Sequence, residues 1–204
     1  MDIEIKALKR KDYSKVIDFA IKGMNFHRYV EGKVELYIYG RYFLYLELKR
    51  ATQVFAAYIG DTLVGVLMAS MNDEPRKYGS FCQNLYVKCV DIAMTIAYKG
   101  AIAPYDAANT AMLKAYEKRA NPDGEICFLA ADPAIQGKGI GTKLLDELTR
   151  REKGKLIYLY TDNHCTYQFY ERKGFERSEE KKIEMKIHGK VAPLTCLLYS
   201  KTLS

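Results

Sequence analysis

The stretch that decides the fold is DPAIQGKGIGTKLL, Asp132 to Leu145. Three glycines, Gly137, Gly139 and Gly141, alternate with other residues just before an apolar set with helical spacing: Ile140, Leu144, Leu145 and Leu148. Ahead of them EICFLAA, Glu125 to Ala131, reads as a buried strand. A helix that opens directly from such a turn has first amides with no partner inside the helix, and they point outward. The helix dipole adds partial positive charge at that end, and glycine lets an anion approach the backbone closely. The expectation is a phosphate-binding turn.

Two familiar phosphate motifs fail here. A P-loop needs G-x-x-x-x-G-K-[ST], but Gly141 is followed by Thr142 and then Lys143, and Gln136 stands where the first glycine belongs. A dinucleotide fingerprint, G-x-G-x-x-G, meets Thr142 when started at Gly137 and Leu144 when started at Gly139.

Working outward, Ile3 to Leu8 alternates as a short strand, and KDYSKVIDFAIKGM and VELYIYGRYFLYLELK read as helices. TQVFAAYIGDTLVGVLMAS reads as a hairpin turning at Gly60 and Asp61. Phe81, Leu85, Cys89, Ile92 and Ile96 form a helical stripe, and YDAANTAMLKAYEKR, beyond Pro104, reads as another helix. After the glycine run come a helix ending near Gly154, the strand KLIYLYT, and a short helix within DNHCTYQFYERKG, capped at Asp162 or Asn163 and stopped by Gly174. Two strands close the chain. The order β-α-α-β-β-(helical insert)-β-α-β-α-β-β predicts a mixed α/β (α+β) fold, one domain over residues 1–204 with a helical insertion at about 72–122.

Composition narrows the function classes. The five cysteines (Cys82, Cys89, Cys127, Cys165, Cys196) include no C-x-x-C, and the three histidines (His27, His164, His188) are scattered, so no metal is expected. No apolar run approaches the ~20 residues of a membrane span. The opening MDIEIKALKRKDY lacks the apolar stretch of a signal peptide, so a soluble, cytoplasmic protein is expected. Net charge is +7, which favours anionic ligands. Basic and acidic residues are interleaved, however, which disfavours nucleic acid as a partner. His164 and Cys165 are adjacent, so on a helix their side chains diverge and cannot work as a pair.

The pattern that does fit is Gln136-x-x-Gly139-x-Gly141. Here the chain resembles the GNAT superfamily of acyl-CoA-dependent N-acyltransferases, whose Q/R-x-x-G-x-G/A signature opens the helix that holds the CoA pyrophosphate. Downstream, NHCTYQFYERKGF resembles a second family pattern through Asn163, Tyr170, Gly174 and Phe175, with Thr166 replacing the usual alanine. The motif match covers Glu125 to Phe175, about a quarter of the chain. Over Met1 to Ser70 and the last strands the likeness is one of element order. Over 72–122 it is absent.

The resemblance implies roles. Acetyl-CoA would be the acyl donor, with no metal. The backbone of Leu129, Ala130 and Ala131 would pair with the pantetheine arm, and an amide there would polarise the acyl carbonyl. Gln136, Gly137, Lys138, Gly139, Ile140, Gly141 and Thr142 would hold the pyrophosphate. Lys138 and Lys143 would add charge, and Arg172 or Lys173 would reach the adenosine 3′-phosphate. Tyr170 occupies the family's general-acid position; the plain alternative is a core tyrosine beside Phe169 and Phe175. Two helical turns after Asn163, it is expected to share that residue's face. Glu125, eleven residues before Gln136, is the candidate general base, the alternative being a solvated edge carboxylate. Asn163 would hold a helix end or a cofactor-bound water.

The acceptor is left open among a small-molecule amine, a protein N-terminus and a lysine. The resemblance places its pocket at the tyrosine-rich segment (Tyr37, Tyr39, Tyr42, Tyr45) and the insertion; the tyrosines would either line it or, as is expected for most of them, form half-buried core. Membranes are not expected as partners, and a homodimer stays open. Two other readings use the same glycines: a non-catalytic acyl-CoA sensor or interaction module, and a nucleotide- or nucleic-acid-binding protein. The first predicts CoA binding without turnover. The second predicts salt-dependent binding with no preference for CoA.

Overall fold

The structure is a computed structural model that describes residues 2–28, 30, 32–97, 103–135, 137–187 and 190–204. Its sheet contains β1 Glu4–Lys6, β2 Gln53–Ile59, β3 Thr62–Met71, β4 Gly124–Ala131, β5 Leu156–Asp162, β6 Glu176–Ile187 and β7 Lys190–Thr202, in the spatial order β1-β2-β3-β4-β5-β7-β6. Helices α1 Tyr13–Gly23 and α2 Lys33–Arg50 lie between β1 and β2. Between β3 and β4 come α3 Phe81–Ala97 and α4 Ala103–Tyr116, the helical insertion read from the sequence. Helix α5 Ile140–Arg151 joins β4 to β5, and the short α6 Gln168–Arg172 leads into β6. The order of elements is the expected one, and the class is mixed α/β.

Every neighbouring pair of strands is antiparallel except β4 and β5. That parallel pair needs a crossover, and α5 supplies it. Alternation along the strands sorts the core into two layers. Phe55, Ala57, Val64 and Leu67 face Ile140, Leu144, Leu145 and Leu148 of α5. Val54, Ala56, Tyr58, Val66 and Met68 face α1 and α2, where Val16, Ile17, Leu44 and Leu48 are buried. A third cluster lies on the α2 side of the sheet, beyond β5: Ala108, Met112 and Tyr116 of α4 cover Met185, Leu194, Cys196 and Leu198 of the β6–β7 hairpin.

Two sequence expectations change. The apolar stripe of α3 forms a helix but does not face the core. Phe81 is 81% exposed, Leu85 53% and Ile92 63%, and Cys89 is also exposed, while Gln83 and Val87 turn inward. The reason is position: α3 lies along the outer flank of α2, so just one narrow face finds a partner. The side chain of Ile96 lies outside the described residues. The helix expected from Asp162 begins later, at Gln168. Asp162 instead closes a turn, its Oδ1 accepting from the amides of His164 at 2.7 Å and Cys165 at 3.2 Å. Asn163 therefore precedes the helix rather than sharing a face with Tyr170.

Candidate functional site

The site grows out of an interruption in the sheet. β4 and β5 pair at Gly124 with Ile157 and at Glu125 with Tyr158, then diverge. From Ile126 to Ala131 the edge of β4 that faces β5 has no strand partner among the described residues, so its amides and carbonyls are open to another extended molecule. A bulge helps to make the fork. Met68 pairs with Phe128 and Ala69 with Ile126, so Cys127 is an extra residue on β4. The bulge puts Ile126 in the layer under α5 and Phe128 in the layer under α1 and α2. Leu129 and Ala131 are half-buried along the open stretch, and Ala130 is buried.

The open end of the fork runs into the glycine turn. Gly137 and Gly139 have φ of +80° and +75°, left-handed values that disfavour any other side chain. A Cβ at either would meet nothing within 4 Å among the described residues beyond its chain neighbours, which leaves room in front of the turn. Gly139 is the N-cap of α5 and, having no side chain, makes no capping bond to the helix. Its leading amides are thus left for a ligand, and a phosphate fits the charge and the room there. Ile140 is buried and anchors the helix, while Thr142 is half-buried. Gly141 also has a packing task. A Cβ there would stand 3.2 Å from Cζ of Phe169, so this glycine lets α6 pack against α5. Gln136 lies outside the described residues.

The basic residues expected near the anion are distributed unevenly. Lys138 and Arg172 are exposed and Lys173 is half-buried, its carbonyl accepting from Nζ of Lys201 at 2.6 Å. Lys143 turns its Nζ to the carbonyl of Ile3 at 3.4 Å. Asn163 ties strand ends together: its Oδ1 accepts from the Thr195 amide at 2.9 Å.

Tyr170 packs in an aromatic group with Phe169 at 5.3 Å and Phe175 at 5.7 Å, both edge to face, and with Tyr199 at 6.4 Å. Burial, and secondarily the nearby Cys165 thiol, raises the phenol above its ordinary range. It is therefore protonated throughout neutral pH, as a proton donor must be.

The closed end of the fork holds a feature that sequence reasoning missed. Glu125, 9% exposed, is no solvated edge carboxylate. Arg50 grips it with both terminal nitrogens, Nη2 to Oε1 at 2.9 Å and Nη1 to Oε2 at 3.2 Å, and the Tyr158 hydroxyl donates to Oε2 at 3.2 Å. The same guanidinium donates from Nε to Oε2 of Glu47 at 2.6 Å. Glu47 is 4% exposed, and burial lifts its carboxyl to about 7 despite Arg50, with Glu125 adding to the rise. Burial also pushes the Cys127 thiol well up. Arg50, in turn, is held above its usual value by the two carboxylates, against the pull of burial. Neither Glu47 nor Arg50 carries a motif. Both sit in ELKR at the end of a helix, where charge normally means solvent.

Above the fork, α2 and α4 lie on the same side of the sheet, α2 over β4 and α4 over the strands beyond. Phe43 of α2 meets Phe128 of β4 at 5.2 Å, and Tyr158 and Tyr160 of β5 pack toward α4. Tyr39 stacks on Tyr42, whose hydroxyl donates to Asp91 of α3 at 2.6 Å, and Tyr45 meets Tyr86 of α3. Most of the clustered tyrosines thus fill the seams around α2, with Tyr37 exposed.

Comparisons with known proteins agree with this architecture. The chain is 42% identical over 55 residues to N-alpha-acetyltransferase RimI of Mycobacterium tuberculosis, a match that covers 26% of this chain and 35% of that relative. Its fold is like that of a Corynebacterium glutamicum chain described as histone acetyltransferase HPA2 and related acetyltransferase, with a TM-score of 0.62 at 15% identity over 100% and 98% of the two chains. It is also like PaiA N-acetyltransferase of Thermoplasma acidophilum, solved in complex with coenzyme A, with a TM-score of 0.54 at 17% identity over 99% of each. Residues 23–175 match the Acetyltransferase (GNAT) family. With the fork, the glycine turn and three quarters of its length accounted for in this way, the chain belongs to the GNAT acetyltransferases.

Proposed function

We propose that this protein moves an acetyl group from acetyl-CoA to a primary amine within a ternary complex. The observation that carries the reading is the continuity of the β4–β5 fork with the glycine turn at the start of α5. It offers one path with backbone donors along its length and an anion cradle at its end. The thioester supplies an activated carbonyl and a thiolate leaving group. Leu129, Ala130 and Ala131 would hold the pantetheine arm, and Gly137, Lys138, Gly139, Ile140, Gly141 and Thr142, with Gln136, the pyrophosphate. Arg172 or Lys173 would meet the 3′-phosphate. Tyr170 gives its proton to the departing sulfur, since its buried phenol is protonated at neutral pH. A carboxyl of the Glu125 cluster takes the amine's proton. The acceptor would enter from the side of the sheet that carries α2 and α4. A protein N-terminus is the acceptor favoured by the likeness to a relative named as an N-alpha-acetyltransferase.

Calorimetric titration with acetyl-CoA, CoA, ADP and NADH in parallel tests the donor. Selective binding of acetyl-CoA and CoA is expected, and equal binding of NADH sinks the reading. Tyr170→Phe is expected to lower turnover by about 100-fold or more with affinity for acetyl-CoA within about twofold. Unchanged turnover ends the acid role.

A further inference from the structure

Both carboxylates at the closed end of the fork depend on one guanidinium, and they are not equally engaged. Glu125 is held on both oxygens by Arg50 and again by Tyr158. Its lone pairs are committed to three donors. Glu47 meets Arg50 through one oxygen. Its place is set by helical spacing: Phe43, Glu47 and Arg50 fall on one face of α2 and meet β4 at Phe128 and Glu125. That is where β4 and β5 begin to part. With both carboxylates ionised the cluster of Glu47, Arg50 and Glu125 carries one uncompensated negative charge in a buried place. Such a site gains by taking up a proton or by drawing in a cation.

We propose that Glu47, rather than Glu125, accepts the proton of the attacking amine, that Arg50 and Glu125 position it, and that the acceptor arrives as a cationic ammonium. This rests on the acetyltransferase reading above. The balance is as follows. The ammonium loses one proton to the Glu47 carboxylate, and the freed nitrogen lone pair forms the C–N bond. The C–S bond breaks with its electron pair on sulfur, which takes the proton of Tyr170. The surplus proton on nitrogen replaces the one on Tyr170. Glu47 then releases its proton to solvent, so the net products are an amide, free CoA and one proton.

The charged surroundings of Glu47 support this order of events. On its own helix it faces Arg50. From β4 it faces Glu125 and Cys127, both coupled to the same guanidinium, and through Glu125 it feels Tyr158 and Tyr160 of β5. Helix α1 meets α2 through apolar Ile17 and Ile21 at Gly40. From α3, Tyr86 is directed to Arg41 and Tyr45, and Asp91 receives Tyr42. Burial and the Glu125 charge keep the Glu47 carboxyl near neutrality, where it can both accept and release a proton in each turnover.

The test is the pH dependence of kcat/KM for thiol release, with acetyl-CoA and a short peptide bearing a free amino terminus. Wild type, Glu47→Gln, Glu47→Asp and Glu125→Gln are compared, with acetyl-CoA affinity measured for each. In wild type kcat/KM is expected to fall about tenfold per pH unit below a midpoint near 7. Glu47→Gln should lose about 100-fold or more in turnover and the limb itself, while binding acetyl-CoA within about twofold of wild type. Glu47→Asp should keep a displaced limb at reduced turnover. Glu125→Gln should keep the limb but move it to lower pH, because the neighbouring negative charge is gone. A limb that survives in Glu47→Gln and vanishes in Glu125→Gln overturns the assignment while leaving the transferase intact. Failure of the wild type to bind acetyl-CoA instead removes the transferase reading, and this inference with it.

Discussion

The two ends of the β4–β5 fork are made of opposite materials. At the open end the work falls to backbone: left-handed glycines, uncapped amides and an unpaired strand edge, with room in front of them. At the closed end it falls to side chains, buried and bound to one another: Glu47, Arg50, Glu125 and Tyr158. Backbone donors suit a ligand that brings its own fixed charge. Side-chain carboxyls suit a step in which charge must move. The contrast teaches that a motif search finds one kind of site and misses the other.

The sharpest way to break the contrast is to remove the cation at the closed end. Arg50→Ala leaves two buried carboxyls without the guanidinium that both of them meet, and a loss of about 3–5 kcal/mol is expected. The sign of its pH dependence follows. Buried, unpaired carboxyls bind protons more tightly folded than unfolded, so the folded state gains as pH falls. Urea unfolding at pH 8 and at pH 5.5 should show the larger loss at pH 8. An equal loss at both would mean that packing, not charge, is what Arg50 supplies.

At the open end, Gly139→Val puts a branched side chain on a left-handed residue beside the expected phosphate. About 1–2 kcal/mol of stability should go, with acetyl-CoA affinity down at least about tenfold. Gly154→Val is the control, since Gly154 has φ of +86° with nothing within 4 Å of a Cβ, and it lies at the far end of α5. Equal effects of the two changes on affinity would strip the cradle of its role.

The smallest effect belongs to the closed end's surface counterpart. On α5, Glu147 receives Arg150 at 2.8 Å and Arg151 at 2.8 Å, one carboxylate under two guanidiniums rather than the reverse. Hydrogen bonding to Arg150, then to Arg151, lowers its carboxyl to about 2, where Glu47 is raised to about 7. A depressed carboxyl stabilises above its unfolded value and loses that contribution as pH falls toward 2. Both arginines are largely exposed and screened, so Glu147→Gln should cost no more than about 1 kcal/mol at neutral pH and low salt, and less at high salt. Thermal melts at two ionic strengths would show it.

What the sequence disclosed follows the same division. Gly137 and Gly139 were legible because positive φ is demanded locally, within a few residues of the helix it starts. The packing task of Gly141 was not legible, because its neighbour Phe169 is brought there by the return of the chain through β5. Arg50 and Glu125 are 75 residues apart, and no spacing announces their meeting. The apolar period of α3 announced a helix correctly. It could not say that α2 would cover just one narrow face of it. Tyr170 was singled out by its place relative to Asn163, although the turn held by Asp162 separates the two.

The docking of α4 has a practical side. Because Ala108, Met112 and Tyr116 roof the β6–β7 hairpin, the inserted segment hides an apolar face of the sheet from solvent. A version trimmed back to the strands and helices common to this fold would bare Met185, Leu194 and Leu198 on a long strand pair. It would be expected to clump during expression even if every residue of the fork were left in place.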